Sequence, residues 1–235
     1  GAAAGSRMSG VEAAPQIAPA GARIVLATHN RGKVAELRAM LAEALPELDV
    51  ETAVVDAGAV GAPDVVEDGV SFEANAAKKA RAVAQHTGLI AVADDSGLAV
   101  DVLGGAPGIF SARWSGRHGD DAANLRLLLD QLADVPDEHR GAGFVCVAAL
   151  AVPGQADADG RQMIAHEHAE RGELRGALLR EPTGDGGFGY DPILRPAGMD
   201  VSTAQLSAEQ KNAISHRGQA FRALLPHLVA ALRDA

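Results

Sequence analysis

The chain has 235 residues, 47% of them hydrophobic, a formal net charge of −10 and a single cysteine, Cys146. That length supports one full core, and the acidic balance argues against binding along a nucleic-acid backbone, which needs a basic face to release counterions. One thiol rules out an internal disulfide framework and suits the reducing cytoplasm, and no apolar run approaches the roughly 20 residues that span a bilayer, so neither membrane nor nucleic acid is an expected partner.

Residues 1–21 are rich in Ala, Gly and Pro and lack the apolar core of a signal peptide. They read as a disordered extension, with Gly1 to Arg7 as a cloning remnant before Met8, and residues 22–235 read as a single domain. Arg23 to Thr28 is a short β-rich run, followed by Val34, Leu37, Leu41 and Leu45 at helical spacing. Ser71 opens a second helix with Phe72, Ala76, Ala80 and Val83 on one face, ending near Gly88. Strands are predicted over 89–94, 98–103, about 142–152 and 162–169, with a helix over about 120–133. From the capping box Ser207-Ala208-Glu209-Gln210 a helix runs to Arg233, with kinks expected at Gly218 and Pro226. The pattern is α/β with a mixed sheet.

The apolar run Leu89 to Ala93 leads into Asp94-Asp95-Ser96-Gly97. Adjacent strand side chains point to opposite faces, so both carboxylates enter one site only if the chain turns, and Ser96-Gly97 has turn chemistry. A divalent cation or a shared proton relieves two adjacent buried acids.

Only four of the 21 basic residues are lysines: Lys33, Lys78, Lys79 and Lys211. A chain that otherwise uses arginine keeps lysine where a compact point charge is needed. Lys33 follows the turn Thr28-His29-Asn30-Arg31-Gly32 at a helix start, where free N–H groups favour phosphate, although the glycine spacing is not that of a Walker A loop. Asn75 and Lys79 share a helix face, Lys78 points to the surface, and Glu67 precedes that helix within reach of a metal. Arg113 carries a fork for phosphate oxygens. The loop Gly187-Phe188-Gly189-Tyr190-Asp191-Pro192 offers an aromatic platform for a flat base. In Lys211-Asn212-Ala213-Ile214-Ser215-His216-Arg217-Gly218, Lys211 and Ser215 share a face while His216 and Arg217 project away unless the helix breaks. His166 and His168 alternate along a strand as metal ligands do, next to Glu167 and Glu170, but with no cysteine or third histidine nearby a zinc site is not the expected reading. Cys146, in an apolar run, reads as a small buried hydrophobe.

Thr28-x-Asn30-x-x-Lys33, Phe72-x-x-Asn75-Ala76, Ala93-Asp94-Asp95-Ser96-Gly97-Leu98, Gly104-Gly105-x-Pro107-Gly108, Ser111-Ala112-Arg113, Gly187 to Pro192 and Ser215-His216-Arg217-Gly218 together resemble the Ham1-like inosine/xanthosine triphosphate pyrophosphatases, over about residues 23–233 and in order. The resemblance implies an elongated mixed sheet with two lobes around a cleft, a homodimer, and Mg²⁺-dependent hydrolysis of ITP, dITP or XTP to the monophosphate and pyrophosphate. Carried over by position, it implies that Thr28, His29, Asn30, Arg31, Gly32 and Lys33 hold the triphosphate, helped by Lys79 and Arg113. It makes Asp95 the proton acceptor and a magnesium ligand, Glu67 a second ligand, Asp94 an occasional one and Ser96 a substrate contact. Phe188 would stack on the base, Gly189, Tyr190 and Asp191 would line its pocket, and Lys211, His216 and Arg217 would close over base and phosphates. Arg217 and Asp191 have the donor and acceptor chemistry that complements a 6-keto purine with a protonated N1. His29, Ala74 and Leu174 depart from residues common in that family. A Maf-like pyrophosphatase of other base specificity, or a nucleotide sensor without catalysis, are the alternative readings.

Overall fold

The computed structural model describes residues 18–235; most of the amino-terminal extension, residues 1–17, lies outside them. The strands are β1 (Ile24–Leu26), β2 (Val54–Asp56), β3 (Ile90–Val100), β4 (Gly141–Ala156), β5 (Gln162–Leu178) and β6 (Leu194–Pro196). They form one sheet in the order β2-β1-β3-β4-β5-β6. β1 runs parallel to β2 and β3, whereas β3 to β6 pair antiparallel, which makes the fold mixed α/β. The helices are α1 (Arg31–Ala44), α2 (Val50–Ala53), α3 (Phe72–Thr87), α4 (Asp121–Gln131), α5 (Ala208–Ile214) and α6 (His216–Asp234).

Parity along the strands decides which core each residue joins. Ile24, Leu26, Val92, Cys146, Ala148 and Leu150 face α1 and α6, meeting Leu37, Leu41, Phe221, Leu224 and Leu228. Val25, Ala91, Ala93, Val145, Val147 and Ala149 face α3, whose Ala76, Ala80 and Ala84 let the helix lie close. A third cluster, at the far end of β3 and β4, joins Leu98, Val100 and Phe144 to Leu125, Leu128 and Leu129 of α4 and to Ile193 and Leu194. β3 therefore passes from one lobe to the other, and residues 94–97 lie between them. β1 stops at Leu26, opposite Val92, and the 106–111 segment meets the same edge of β3 only from Leu98 on, so at residues 94–97 that edge is open. A ligand crevice at the carboxyl ends of parallel strands, where the chain changes direction, is the expected outcome in an open α/β sheet.

Several local expectations change. β3 is one continuous strand through Ser96-Gly97, and residues 101–103 form a short 3₁₀ turn instead of more strand. Gly97 serves close packing: a Cβ there would collide with the carbonyl oxygen of Gly108, and would lie 2.6 Å from Ser111 Oγ. Ser111 Oγ accepts from Leu98 N–H at 2.9 Å, fastening the 108–113 turn to the strand. The carboxy-terminal helix breaks at Ser215, not Gly218. Ser215 is extended (φ −62°, ψ 147°), and its hydroxyl accepts from Gly218 N–H at 2.9 Å, so it caps a new helix, α6, that continues through Pro226. Leu45 lies just past α1, as its cap. Residues 18–21 make a turn, with Ala18 packed on the α3-side core, so the ordered chain begins earlier than residue 22.

Candidate active site

On the α3 face of β3, Asp95 meets three groups delivered by α3 and the loop before it. Asn75, 1% exposed, donates from Nδ2 to Asp95 Oδ2 at 3.0 Å and accepts from Gly69 N–H at 2.8 Å. Lys79, four residues on and thus on the same face, pairs with Glu67 at 2.6 Å. Lys78 turns outward to Asp68. Burial pushes the Asp95 carboxyl up to about 6, opposed by the Asn75 hydrogen bond and reinforced by the charge of Glu67, with Lys79 pulling the other way. The acid is thereby tuned toward the range of a general base at neutral pH.

Asp94 points to the opposite face. It is 5% exposed and binds Lys33 Nζ at 3.0 Å, near the buried thiol of Cys146, whose titration burial pushes far up. Because β3 does not turn, strand parity separates the two aspartates, which corrects the expectation that Asp94 would join Glu67 and Asp95 as a magnesium ligand. Lys33 is brought to it by α1, whose cap Asn30 accepts from Gly32 and Lys33 N–H at 2.9 and 3.2 Å, while Thr28 Oγ1 accepts from Asn30 N–H at 3.1 Å. Glu36, one turn along α1, binds Arg217 at 2.5 Å.

Around these groups lies a cleft of about 660 Å³ lined by Thr28, His29, Glu67, Lys79, Arg113 and His118, among others. Arg31 and Gly32 are exposed in the first turn of α1 and are not among the residues that line it. The Ser111-Ala112-Arg113 stretch separates this cleft from a second chamber of about 200 Å³, lined by Ser96, Leu98, Phe144, Phe188, Tyr190, Lys211 and His216. The chambers lie on either side of the open edge of β3, so a long ligand can cross that edge with one end in each.

The second chamber carries the aromatic platform. Phe188 is 74% exposed, with Lys211 Nζ 4.9 Å from its ring centroid. Asp191, 3% exposed, holds the loop from beneath: it accepts from Phe188 N–H at 2.9 Å, Thr203 Oγ1 at 2.8 Å and Lys211 Nζ at 2.5 Å. Asp191 is thus engaged within its own loop, and Arg217 gives one Nη2 contact to Glu36. Tyr190 is buried and donates its hydroxyl to the Ser111 carbonyl at 2.7 Å, so it anchors the pocket wall. Gly189 N–H donates to Asp121 at 2.9 Å. Asp121, Glu36 and His118 escape the sequence reading because an acid in a first helical turn or a lone surface histidine looks ordinary there.

His216 stacks on Phe144 with centroids 5.1 Å apart, and its Nδ1 is buried without a partner. Burial pulls the His216 imidazole down to about 4, against about 6.5 in an unfolded chain. Between those values the unfolded chain takes up a proton that the folded protein refuses, so this contribution to stability is complete above pH 6.5 and lost as pH falls toward 4. Moving from pH 8 to pH 5 should cost about 2 kcal/mol through this one group. His216→Gln should remove that part of the acid sensitivity, as read by urea unfolding of both proteins at the two pH values.

The chain is 59% identical over 210 residues to a dITP/XTP pyrophosphatase of Streptomyces coelicolor, covering 87% of this chain and 96% of that protein. It is 52% identical over 211 residues to one of Leifsonia xyli, covering 90% and 98%. Among solved structures, a HAM1 protein from Coxiella burnetii superposes with a TM-score of 0.76 at 37% identity, covering 89% of this chain and 99% of that one. A nucleoside-triphosphatase / dITP/XTP pyrophosphatase from Mycobacterium abscessus gives 0.67 at 48% identity, covering 87% and 99%. The family model described as the Ham1 family matches residues 24–227, and with these relatives it shows that the chain belongs to the Ham1 family.

Proposed function

We propose that this protein is a cytoplasmic, homodimeric, Mg²⁺-dependent pyrophosphatase that converts ITP, dITP and XTP to the monophosphate and pyrophosphate, clearing deaminated purines from the nucleotide pool. The observation that carries the reading is Asp95, held by the Asn75 hydrogen bond at 3.0 Å beside the Glu67–Lys79 pair that lines the larger cleft, with burial pushing its carboxyl up to about 6. The names of the relatives, dITP/XTP pyrophosphatase, support the same substrates. The donor set fits the metal: Glu67 and Asp95 are hard oxygen donors close enough for the charge of one to raise the other, as suits Mg²⁺. When bound, that ion supplies Lewis-acid stabilisation of the phosphate oxygens.

The base lies against Phe188 in the chamber that His216 also lines, and the triphosphate crosses the β1-side edge of β3 at residues 94–97 into the larger cleft. Asp95 takes a proton from the attacking water as its oxygen bonds to the α-phosphorus, and the α–β anhydride breaks in line to release pyrophosphate. Lys79 and Arg113 stand beside the cleft to neutralise the developing charge. Lys33 lies next to it, held by Asp94, and the first turn of α1 presents its positive dipole end to the phosphates.

One assay tests the proposal. ITP, XTP, dTTP and ATP are incubated with the protein and Mg²⁺, and the product is identified as pyrophosphate or phosphate. Pyrophosphate from ITP and XTP, with ATP turned over at least tenfold more slowly, is the expected result. Fast turnover of dTTP would instead favour the Maf-like reading, and nucleotide binding without product would favour the sensor.

A further inference from the structure

Away from both chambers, β5 and α6 bring together three side chains that the sequence keeps far apart. His168 and Glu170 alternate onto the same face of β5, and His227 descends on them from α6. His168 Nε2 lies 2.8 Å from Glu170 Oε1, and His227 Nε2 lies 3.5 Å from that same oxygen. The two imidazoles stack with centroids 3.5 Å apart. Among the described residues this is the one group of three His, Cys, Asp or Glu side chains whose ligand atoms all lie within 4.8 Å of one another. The third histidine that the strand pattern lacks is supplied by the fold.

We propose that His168, Glu170 and His227 form a binding site for a transition-metal dication of the zinc class, separate from the catalytic carboxylates. Two imidazole nitrogens and one carboxylate suit Zn²⁺ and are poorly matched to Mg²⁺, which demands oxygen donors. The nitrogen-to-oxygen spacing fits as well, and the two rings, stacked with 22° between their planes, have to turn about their side-chain torsions to aim both Nε2 lone pairs at one ion. Bonds of about 2.0–2.1 Å in a tetrahedron put neighbouring ligand atoms about 3.3 Å apart, and the observed nitrogen-to-oxygen separations of 2.8 and 3.5 Å bracket that value. Each side chain is partly exposed, at 29%, 33% and 40% for His168, Glu170 and His227, so an ion reaches the site without unfolding, and water completes its shell. Binding replaces the 2.8 Å contact between His168 and Glu170 with bonds to the ion.

Such an ion ties α6 to β5. The same helix begins at His216, in the wall of the aromatic chamber, eleven residues before His227 and about 16 Å away along the axis. Gly172, two residues beyond Glu170, lets that helix start press onto the sheet, since a Cβ there would collide with the His216 carbonyl oxygen. The metal would therefore brace the helix that carries His216 and Arg217.

The test uses the full-length protein stripped of metal with a chelator and titrated with Zn²⁺ in the presence of millimolar Mg²⁺ and no nucleotide. One Zn²⁺ per chain with micromolar or tighter affinity is expected, together with a rise in Tm of several degrees. His168→Asn, Glu170→Gln and His227→Asn should each weaken binding at least tenfold and abolish the rise in Tm, whereas His139→Asn, at an exposed turn, should do neither. Far-ultraviolet circular dichroism confirms that each variant is folded. Zn²⁺ binding unaffected by the three substitutions, competition by Mg²⁺, or affinity weaker than about 100 μM would overturn the proposal.

Discussion

The Asp95→Asn protein is expected to bind ITP nearly as well as the wild type while kcat falls about 10²- to 10⁴-fold, the span attributable to a positioned general base. The substitution is isosteric, and its carbonyl oxygen can still accept the 3.0 Å hydrogen bond from Asn75, so the cleft keeps its shape. What disappears is the proton acceptor, along with one of the two carboxylates proposed to hold the metal. A second readout separates this role from a structural one. The Asp95 carboxyl, near 4 when unfolded, is raised to about 6 in the fold, chiefly by burial. Folding therefore becomes less favourable as pH rises through that window, because the unfolded chain releases its proton first. In metal-free buffer at pH 8, Asp95→Asn should be more stable than the wild type by on the order of 2 kcal/mol after allowance for solvent screening. A protein that is slow yet harder to unfold is the signature of a group held in a costly state for chemistry. Retention of most of the rate would remove Asp95 from the mechanism.

The second large effect belongs to Asp191. Its carboxylate, 3% exposed, satisfies Phe188 N–H, Thr203 Oγ1 and Lys211 Nζ at once. Asp191→Ala leaves the lysine without its partner and the Phe188 N–H without its acceptor, while Thr203 Oγ1 keeps the Asp191 carbonyl oxygen at 2.9 Å. Breaking a buried pair from one side costs about 3–5 kcal/mol, and because the Lys211 side chain is 20% exposed and can regain water, a loss of about 3 kcal/mol in urea unfolding is expected. The same change frees the Phe188-Gly189 turn, so KM for ITP should rise at least tenfold, with a smaller effect on kcat. Asp191→Asn keeps an acceptor and loses the charge, and should fall between. If Asp191→Ala unfolded within 0.5 kcal/mol of the wild type, the loop would owe its position to other contacts.

Much of the frame is legible in the residues. The caps Asn30, Ser71 and Ser207 sit where helices begin, Gly88 ends α3 in the left-handed conformation (φ 67°), and the apolar faces of α1 and α3 fall at the expected positions. Such signals are local: a cap or a helical period acts within a few residues, so the chain spells it out. The pairing of Asn75 with Lys79 on one face is of the same kind. Ser96-Gly97 misleads because the same glycine serves a turn or a close approach, and only the packing of the 108–113 segment against β3 distinguishes the two.

By itself, then, the sequence determined the class of fold, the order of its elements and the set of chemistry-bearing residues, since these depend on short-range periodicity and residue type. The tertiary structure decided how those residues divide. Unbroken pairing of β3 with β4 sends Asp95 to Glu67 and Asn75 while Asp94 turns to Lys33. The fold spends Arg217 on Glu36, 181 positions away, and Asp191 on its own loop. It also carries His227 to His168, joining a strand pattern to a histidine it could not reach locally. These outcomes rest on register and on helix docking across the sheet, which are settled by the burial of whole faces and are not written in any local stretch of the chain.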